Sequence, residues 1–325
     1  MSLFLTAAGA LVDRIKINAV SREMRDGRPM WIKRRRWTAE PIMACANRFF
    51  RAVGNPVRAL DDFAAWQRWE VECFLALHGD RFRAFADGPR AVAAEEVPGV
   101  NLSHHLDTGT LTPPMLAAAA GELRRAHGRT CVEFAGPWSH GDPHVGNFIY
   151  DSAANCARLI DFEVQHHPAL PADERHTDDL LVFLQDMVGR ISPELWLPSA
   201  LAFLAAYGRP EIVARLRARL LAPRGIARVW WAVRTTYLAP AELERRLAAL
   251  RAEVILRHDP LAHRRAAEQM LAQDALETLG RDRAVPHAFG IDHQPRPARA
   301  DAEAASFRPH GAQAGFADAL LHEFP

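Results

Sequence analysis

Apolar and polar positions alternate over two early runs, Ile15–Met24 and Pro29–Trp37, with Asp26-Gly27 between them. A two-residue Asp-Gly step between such runs predicts a β-hairpin, and strands are expected over about residues 11–37. In the second run the alternation places Trp31 and Lys33 on one face. The period turns helical over about 59–78, where Phe63, Trp66, Trp69, Val71, Phe74, Leu75 and Leu77 recur and His78-Gly79-Asp80 ends the run. Residues 91–102 read as a short strand with a turn at Val97-Pro98-Gly99, and residues 113–127 as an alanine-rich helix. A loop, Ser139–Asn147, precedes two predicted strands, Phe148-Ile149-Tyr150 and Leu159-Ile160-Asp161-Phe162, joined by a turn over Asp151–Ala157. Helical pattern then runs from Asp178 to about 280, with Leu180, Leu181, Phe183, Leu184 and Met187 as one stripe. Within it, Pro240-Ala241-Glu242-Leu243 opens a later helix.

A strand-rich start followed by helices predicts an α+β fold in two lobes. The expected divisions are 1–98, 99–280 and a tail, 281–325, with the lobe boundary near Val97–Leu102. In the tail Pro286, Pro295, Pro297 and Pro309 break any pattern, so disorder or loose docking is expected there.

Composition narrows the class. The 325 residues are 49% hydrophobic and 24% charged, and the formal net charge is +1. That is ordinary for a folded chain with one large core or two lobes, and no global field draws it to nucleic acid. Cys45, Cys73, Cys131 and Cys156 are widely spaced without a Cys-x-x-Cys pair, which points to reduced thiols and the cytoplasm. No run of about 18 apolar residues is present, so no transmembrane helix is expected. Met1–Val12 is apolar without a basic start and reads as a first helix or strand, not a signal peptide. The arginines between 214 and 265 leave peripheral contact with a membrane or an acidic partner open, although nearby acids compensate them. Arg34–Arg36 read as a solvated run, or as contacts for an anionic acceptor. Oligomeric state is not legible.

The chemistry concentrates in His140-Gly141-Asp142-Pro143-His144-Val145-Gly146-Asn147 and in Ile160-Asp161-Phe162-Glu163. Phosphoryl transfer needs a carboxylate to orient and deprotonate a hydroxyl, and oxygen ligands for magnesium. Asp142 suits the first task; Asn147, five positions on, and Asp161 suit the second. In this order the two segments resemble the aminoglycoside phosphotransferases and the lipopolysaccharide (Kdo) kinases, which share a protein-kinase-like fold.

The resemblance implies ATP and magnesium, with γ-phosphate transfer to a hydroxyl of a small molecule or lipid-linked sugar. Met30-Trp31-Ile32-Lys33 then stands for the strand whose lysine holds the α/β-phosphates, with Glu70 as its partner and Glu72 as a solvated acid. Glu95-Glu96-Val97-Pro98-Gly99 resembles the hinge, so the Glu95 carbonyl and the Val97 N–H would read adenine. Asp179 would hold the catalytic-loop backbone from the start of the next helix, with Asp178 as its N-cap or first-turn acid, and His144 would brace the loop. His104-His105 and His166-His167 read as surface or packing pairs.

The pattern departs from the family in two places. Trp31 replaces a small residue over adenine, which requires a reshaped pocket or a different register. No Gly-x-Gly-x-x-Gly loop precedes Lys33. That gap, and the shortness of Val164–Thr177 for an activation loop, weigh against a protein Ser/Thr kinase, which stays as an alternative. A nucleotide-binding pseudokinase is the alternative from another class.

Overall fold

The structure, a computed structural model, describes residues 17–258, of which those through Val254 belong to one compact unit. The expected tail 281–325 and first element Met1–Val12 lie outside the described residues. The fold is α+β, with nine α-helices and four small sheets among the described residues.

The early alternation forms a hairpin, β1 (Asn18–Arg25) and β2 (Arg28–Arg35), in register from Asn18↔Arg35 to Arg25↔Arg28. Asp26 and Gly27 both have positive φ, 51° and 74°, the mirror-image turn whose twist matches the strands it joins. β2 also pairs with β5 (Ala91–Glu95), which pairs with β4 (Ala84–Ala86), giving the order β1-β2-β5-β4. One face of β2 buries Met30 and Ile32 with Ala91 and Ala93. The other carries Trp31, Lys33 and Arg35.

The charge run after Lys33 is therefore not uniformly solvated. Arg35 is 1% exposed and lies 4.3 Å over the Trp66 ring. The alternation that sets Lys33 inward sets Arg35 inward as well.

An unpredicted helix, α1 (Ala39–Ala52), follows β2. Its signal is Ala39, Ile42, Met43, Ala46, Phe49 and Phe50, a helical period that closes on the core. β3 (Val57–Ala59) comes next, then α2 (Phe63–His78), capped where the Asp62 carboxylate accepts from the Ala65 N–H at 2.6 Å. α2 buries Trp66, Trp69, Cys73, Phe74 and Leu77 and begins four residues later than its periodicity suggested.

β6 (Val100–Asn101) leads into α3 (Leu102–Asp107) and α4 (Pro113–His127). Short strands β7 (Thr130–Cys131) and β8 (Gly136–Pro137) pair before the loop. A 3-10 turn, Val145–Asn147, ends the loop and enters β9 (Phe148–Asp151). β10 (Cys156–Leu159) pairs with β9, which pairs with β6. The second predicted strand is thus displaced: it stops at Leu159, and Ile160–Phe162 leave the sheet. The Ile160 N–H donates to the Asn147 carbonyl at 3.0 Å, and Asp161 then takes φ 67°. β11 (Val164–His166) pairs with β3.

α5 (Ala172–Arg190) starts six residues before Asp178, behind Pro171. Asp178 is therefore neither an N-cap nor a first-turn acid, and Asp179 lies in the helix body. α6 (Pro193–Tyr207), α7 (Pro210–Arg215), α8 (Ala227–Arg234) and α9 (Pro240–His258) complete the described chain. Leu180, Phe183, Leu184 and Met187 of the expected stripe are at most 1% exposed. No helix among the described residues is long and apolar enough to cross a membrane.

Candidate active site

Lys33 on β2 meets three acids from two parts of the chain. Its Nζ is 2.9 Å from Glu70 Oε1 on α2 and 3.3 Å from Glu163 Oε1, and it is hydrogen-bonded to Asp161 Oδ1. The side chains of Lys33, Glu70 and Asp161 are 13%, 9% and 10% exposed. Glu72, the other acid considered as a partner, is exposed. Burial opposes the ammonium, but Asp161, Glu70 and Glu163 outweigh it and hold the Lys33 pKa above its ordinary value. Burial, and then repulsion by Asp161, push the Glu163 carboxyl well above the usual carboxylate range against the pull of Lys33 and Arg35. Asn18 Nδ2 donates to the same Glu163.

The loop carrying Asp142 is held from α5. Asp179 Oδ2 accepts from the His140 N–H at 2.8 Å, and Oδ1 from the Gly141 N–H at 2.7 Å. Asp186 Oδ2 accepts from the Val145 N–H at 2.9 Å. Asp179 and Asp186 are seven positions apart, two turns along one helix face, so one rigid element grips both ends of the loop. Asp179 is the expected clamp; Asp186 carries no such mark in the sequence, because seven-residue spacing in a buried helix looks like core pattern. Burial alone would raise the Asp179 pKa, but His166, His127 and His140 hold it well below the usual carboxylate range. Within the loop, His144 Nδ1 accepts from the Gly146 N–H at 3.1 Å, which is the expected brace.

Asn147 Nδ2 donates to the Asp142 carbonyl at 2.8 Å, which fixes the amide's orientation. Its Oδ1 is buried with no hydrogen-bond partner, as is Glu70 Oε2. An oxygen left unpaired on burial costs about 1–3 kcal/mol. A hard cation beside Asn147 and Asp161 would satisfy the first of them. No three His, Cys, Asp or Glu side chains form a metal cage among the described residues. Magnesium needs none, because it usually keeps water and phosphate ligands.

The main surprise is Arg234, at the end of α8. Its Nη1 donates to Asp142 Oδ1 across 92 residues, and the two side chains are 6% and 14% exposed. Burial pushes the Asp142 carboxyl up, but Arg234, His144 and His140 outweigh it and hold the group below its ordinary value. Arg234 belongs to the arginine-rich segment read as compensated surface charge, and it is instead buried on the loop. Its only local mark is Trp230 four residues earlier, whose ring lies 4.7 Å from the guanidinium carbon.

At the segment expected as a hinge, Val97 is buried, and its N–H makes no hydrogen bond among the described residues, whereas the Glu95 N–H is taken by the Arg83 carbonyl at 2.7 Å. The Glu95 side chain pairs with Arg28 at 2.8 Å. Trp31 is half-buried and faces Ala94 across the β2–β5 ladder. Of the histidine pairs, His166 is packed between Ser139 Oγ at 3.0 Å and Asp178 Oδ2 at 3.2 Å, while His104 and His105 lie edge to face on α3.

Behind the loop two buried histidines, His127 and His176, are wired as neutral rings. His127 Nε2–H donates to Asp179 at 2.9 Å while the Tyr207 hydroxyl donates to Nδ1 at 2.8 Å. His176 Nε2–H donates to the Trp138 carbonyl at 3.0 Å, its Nδ1 accepts from Arg209, and its ring stacks on His127 at 3.9 Å. Burial lowers the pKa of His78, His127 and His140, and takes His176 down to about 3. In the unfolded chain these rings protonate near 6.5. Below that pH the unfolded state binds protons that the folded state refuses, so stability falls as pH drops from about 6.5, by up to ~1.4 kcal/mol per unit for each ring. Glu163 binds a proton in the fold from about pH 7 and works in the opposite sense, offsetting about one of the four rings, so melting midpoints taken from pH 8 to 5 should still decline below about 6.5; a midpoint that keeps rising down to pH 5 contradicts this wiring.

No protein-family model matches the chain, and no curated protein matches it. Among solved structures, it is similar to Rv3197 from Mycobacterium tuberculosis in complex with erythromycin. Identity is 18% and the TM-score 0.35, over 76% of this chain and 75% of that one.

Proposed function

We propose that the protein is an ATP- and magnesium-dependent phosphotransferase of protein-kinase-like, bilobal architecture, acting on a hydroxyl of a small molecule or lipid-linked sugar. The observation that carries this reading is the convergence of Lys33, Glu70 and Asp161 beside the Asp142–Asn147 loop. As a stabilising device it is poor: a buried lysine among three acids gains little net energy, and two acids are left in excess. As a phosphate and cation site the same set is complementary. Asn147 and Asp161 would hold magnesium, which supplies neutralising charge to the phosphates. Glu70 orients Lys33 toward the α/β-phosphates, and the Glu95 carbonyl and Val97 N–H meet adenine.

Asp142 takes the proton of the acceptor hydroxyl. The hydroxyl oxygen bonds to the γ-phosphorus as the bond to the bridging oxygen breaks, and ADP leaves. Only residues 167–171 separate β11 from α5, too few for a protein-binding activation segment, which favours the small acceptor over a protein kinase.

Saturating ATP–Mg should raise the melting midpoint. At a hundred times Kd the linkage is about 2.7 kcal/mol. Asp161→Ala should remove most of that shift. A wild-type protein that ATP–Mg does not stabilise would not be a kinase. A nucleotide-binding regulator without transfer is favoured by one observation, the Arg234 cap on Asp142; it predicts the thermal shift with no ADP release for any acceptor.

A further inference from the structure

We propose that Arg234 gates the acceptor position and selects its substrate, an alcohol that carries an anionic group near its hydroxyl on an apolar body. This rests on Asp142 being the group that meets the acceptor, as proposed above.

The space in front of Asp142 is walled by Met43 and Phe50 of α1, Val57 of β3, and Trp230 of α8. The free cavity there is about 40 Å³, room for only about three waters. The arginine on Asp142 helps keep it closed. An acceptor hydroxyl that hydrogen-bonds Asp142 Oδ1 takes the position of Arg234 Nη1, and the guanidinium then has to move.

The backbone holds that guanidinium deliberately close. Thr236 and Tyr237, directly after Thr235, have φ of 47° and 59°, uncommon for residues with side chains and tolerated mainly at functional sites. A Cβ on Gly189 of α5 would lie 2.1 Å from the Thr235 carbonyl oxygen. Only glycine there lets the end of α8 come near enough for Arg234 to reach the loop.

Charge decides the acceptor class. The cavity lining is acidic at Asp142, Asp161 and Glu163, and Arg234 is its one cation among the described residues. Arg234 Nε is already buried without a partner. A neutral alcohol that displaces Nη1 takes from the guanidinium its paired acid, because Asp161 and Glu163 already face Lys33, a costly loss for a buried charge. An acceptor with its own carboxylate or phosphate replaces the lost partner and can accept two parallel hydrogen bonds from the fork. Away from Asp142, Asp161 and Glu163 the walls are Met43, Phe50, Val57 and Trp230, which suit a hydrocarbon-like body better than a bare sugar.

Titration calorimetry with β-hydroxydecanoate and its methyl ester separates charge from shape. The wild-type chain should bind the acid at least about tenfold more tightly than the ester. Arg234→Met should erase that preference, and Arg234→Lys, which keeps the charge and loses the fork, should retain part of it. Equal affinity for acid and ester, no binding of either, or an intact preference in R234M would overturn the proposal; R234K decides it if R234M does not fold. The ATP–Mg melting shift is read on the same proteins. If it is absent in the wild type while the acid preference holds, the phosphotransfer reading fails and the anion site stands. If it is present in the wild type and lost in both variants, Arg234 serves the nucleotide and the acceptor proposal fails.

Discussion

Asp142→Asn should lower turnover by about a hundred- to ten-thousandfold, the usual contribution of a positioned general base, while ATP–Mg binding survives. The asparagine keeps an oxygen for Arg234 Nη1 and leaves the loop clamps untouched, since these run through the backbone of His140, Gly141 and Val145. It loses the ability to take a proton. ADP release and the ATP–Mg melting shift, measured side by side, separate the two roles. Loss of nucleotide binding in D142N would mean that Asp142 is part of the phosphate or metal site instead.

Asp179→Ala should be the most destabilising single change in the site. The carboxylate is fully buried and satisfies two backbone N–H groups of the loop and the His127 ring. Removing it leaves three buried donors unpaired, and the cost of breaking such a network is about 3–5 kcal/mol. At ~2–4 °C per kcal/mol for a chain of this size, the midpoint should drop by about 6–20 °C. Asp179→Asn keeps one acceptor and should lose less. If D179A melts within a degree or two of the wild type, the hydrogen bonds from α5 are not what holds the loop. Activity should fall with it, because Asp142 rides on the segment that Asp179 clamps.

The local parts of this site are legible in the linear chain. An Asp and an Asn five apart share one loop whatever the rest of the chain does, and Asp26-Gly27 forces a hairpin that turns Lys33 to a fixed face. Glu70 is found because a helix repeats every 3.6 residues, which sets it on the same face as Phe74 and Leu77. Two local features are masked by their neighbours. Arg35 obeys the same alternation as Lys33, but the basic residues on either side give the run the look of a solvated one. α1 shows helical period from Ala39 to Phe50, but three basic residues and Trp37 before it mask its start. The displaced end of β10 has another cause. Leu159-Ile160 is as apolar as any strand, and only the hydrogen bond from Ile160 to the Asn147 carbonyl and the positive φ of Asp161 take it out of the sheet.

By itself the sequence determined the hairpin, the positions of α2 and α4, the loop His140–Asn147 and the residue types that suit phosphate and magnesium. Tertiary structure alone decided that Arg234 closes on Asp142, that Asp186 joins Asp179 in gripping the loop, and that α1 and Trp230 wall the space in front of it. The reason is physical. Period and turn chemistry are short-range and repeat within a few residues, whereas a contact across 92 positions is set by how whole elements pack. Here that packing depends on a missing Cβ at Gly189 and a strained turn after Arg234, neither of which leaves a periodic trace.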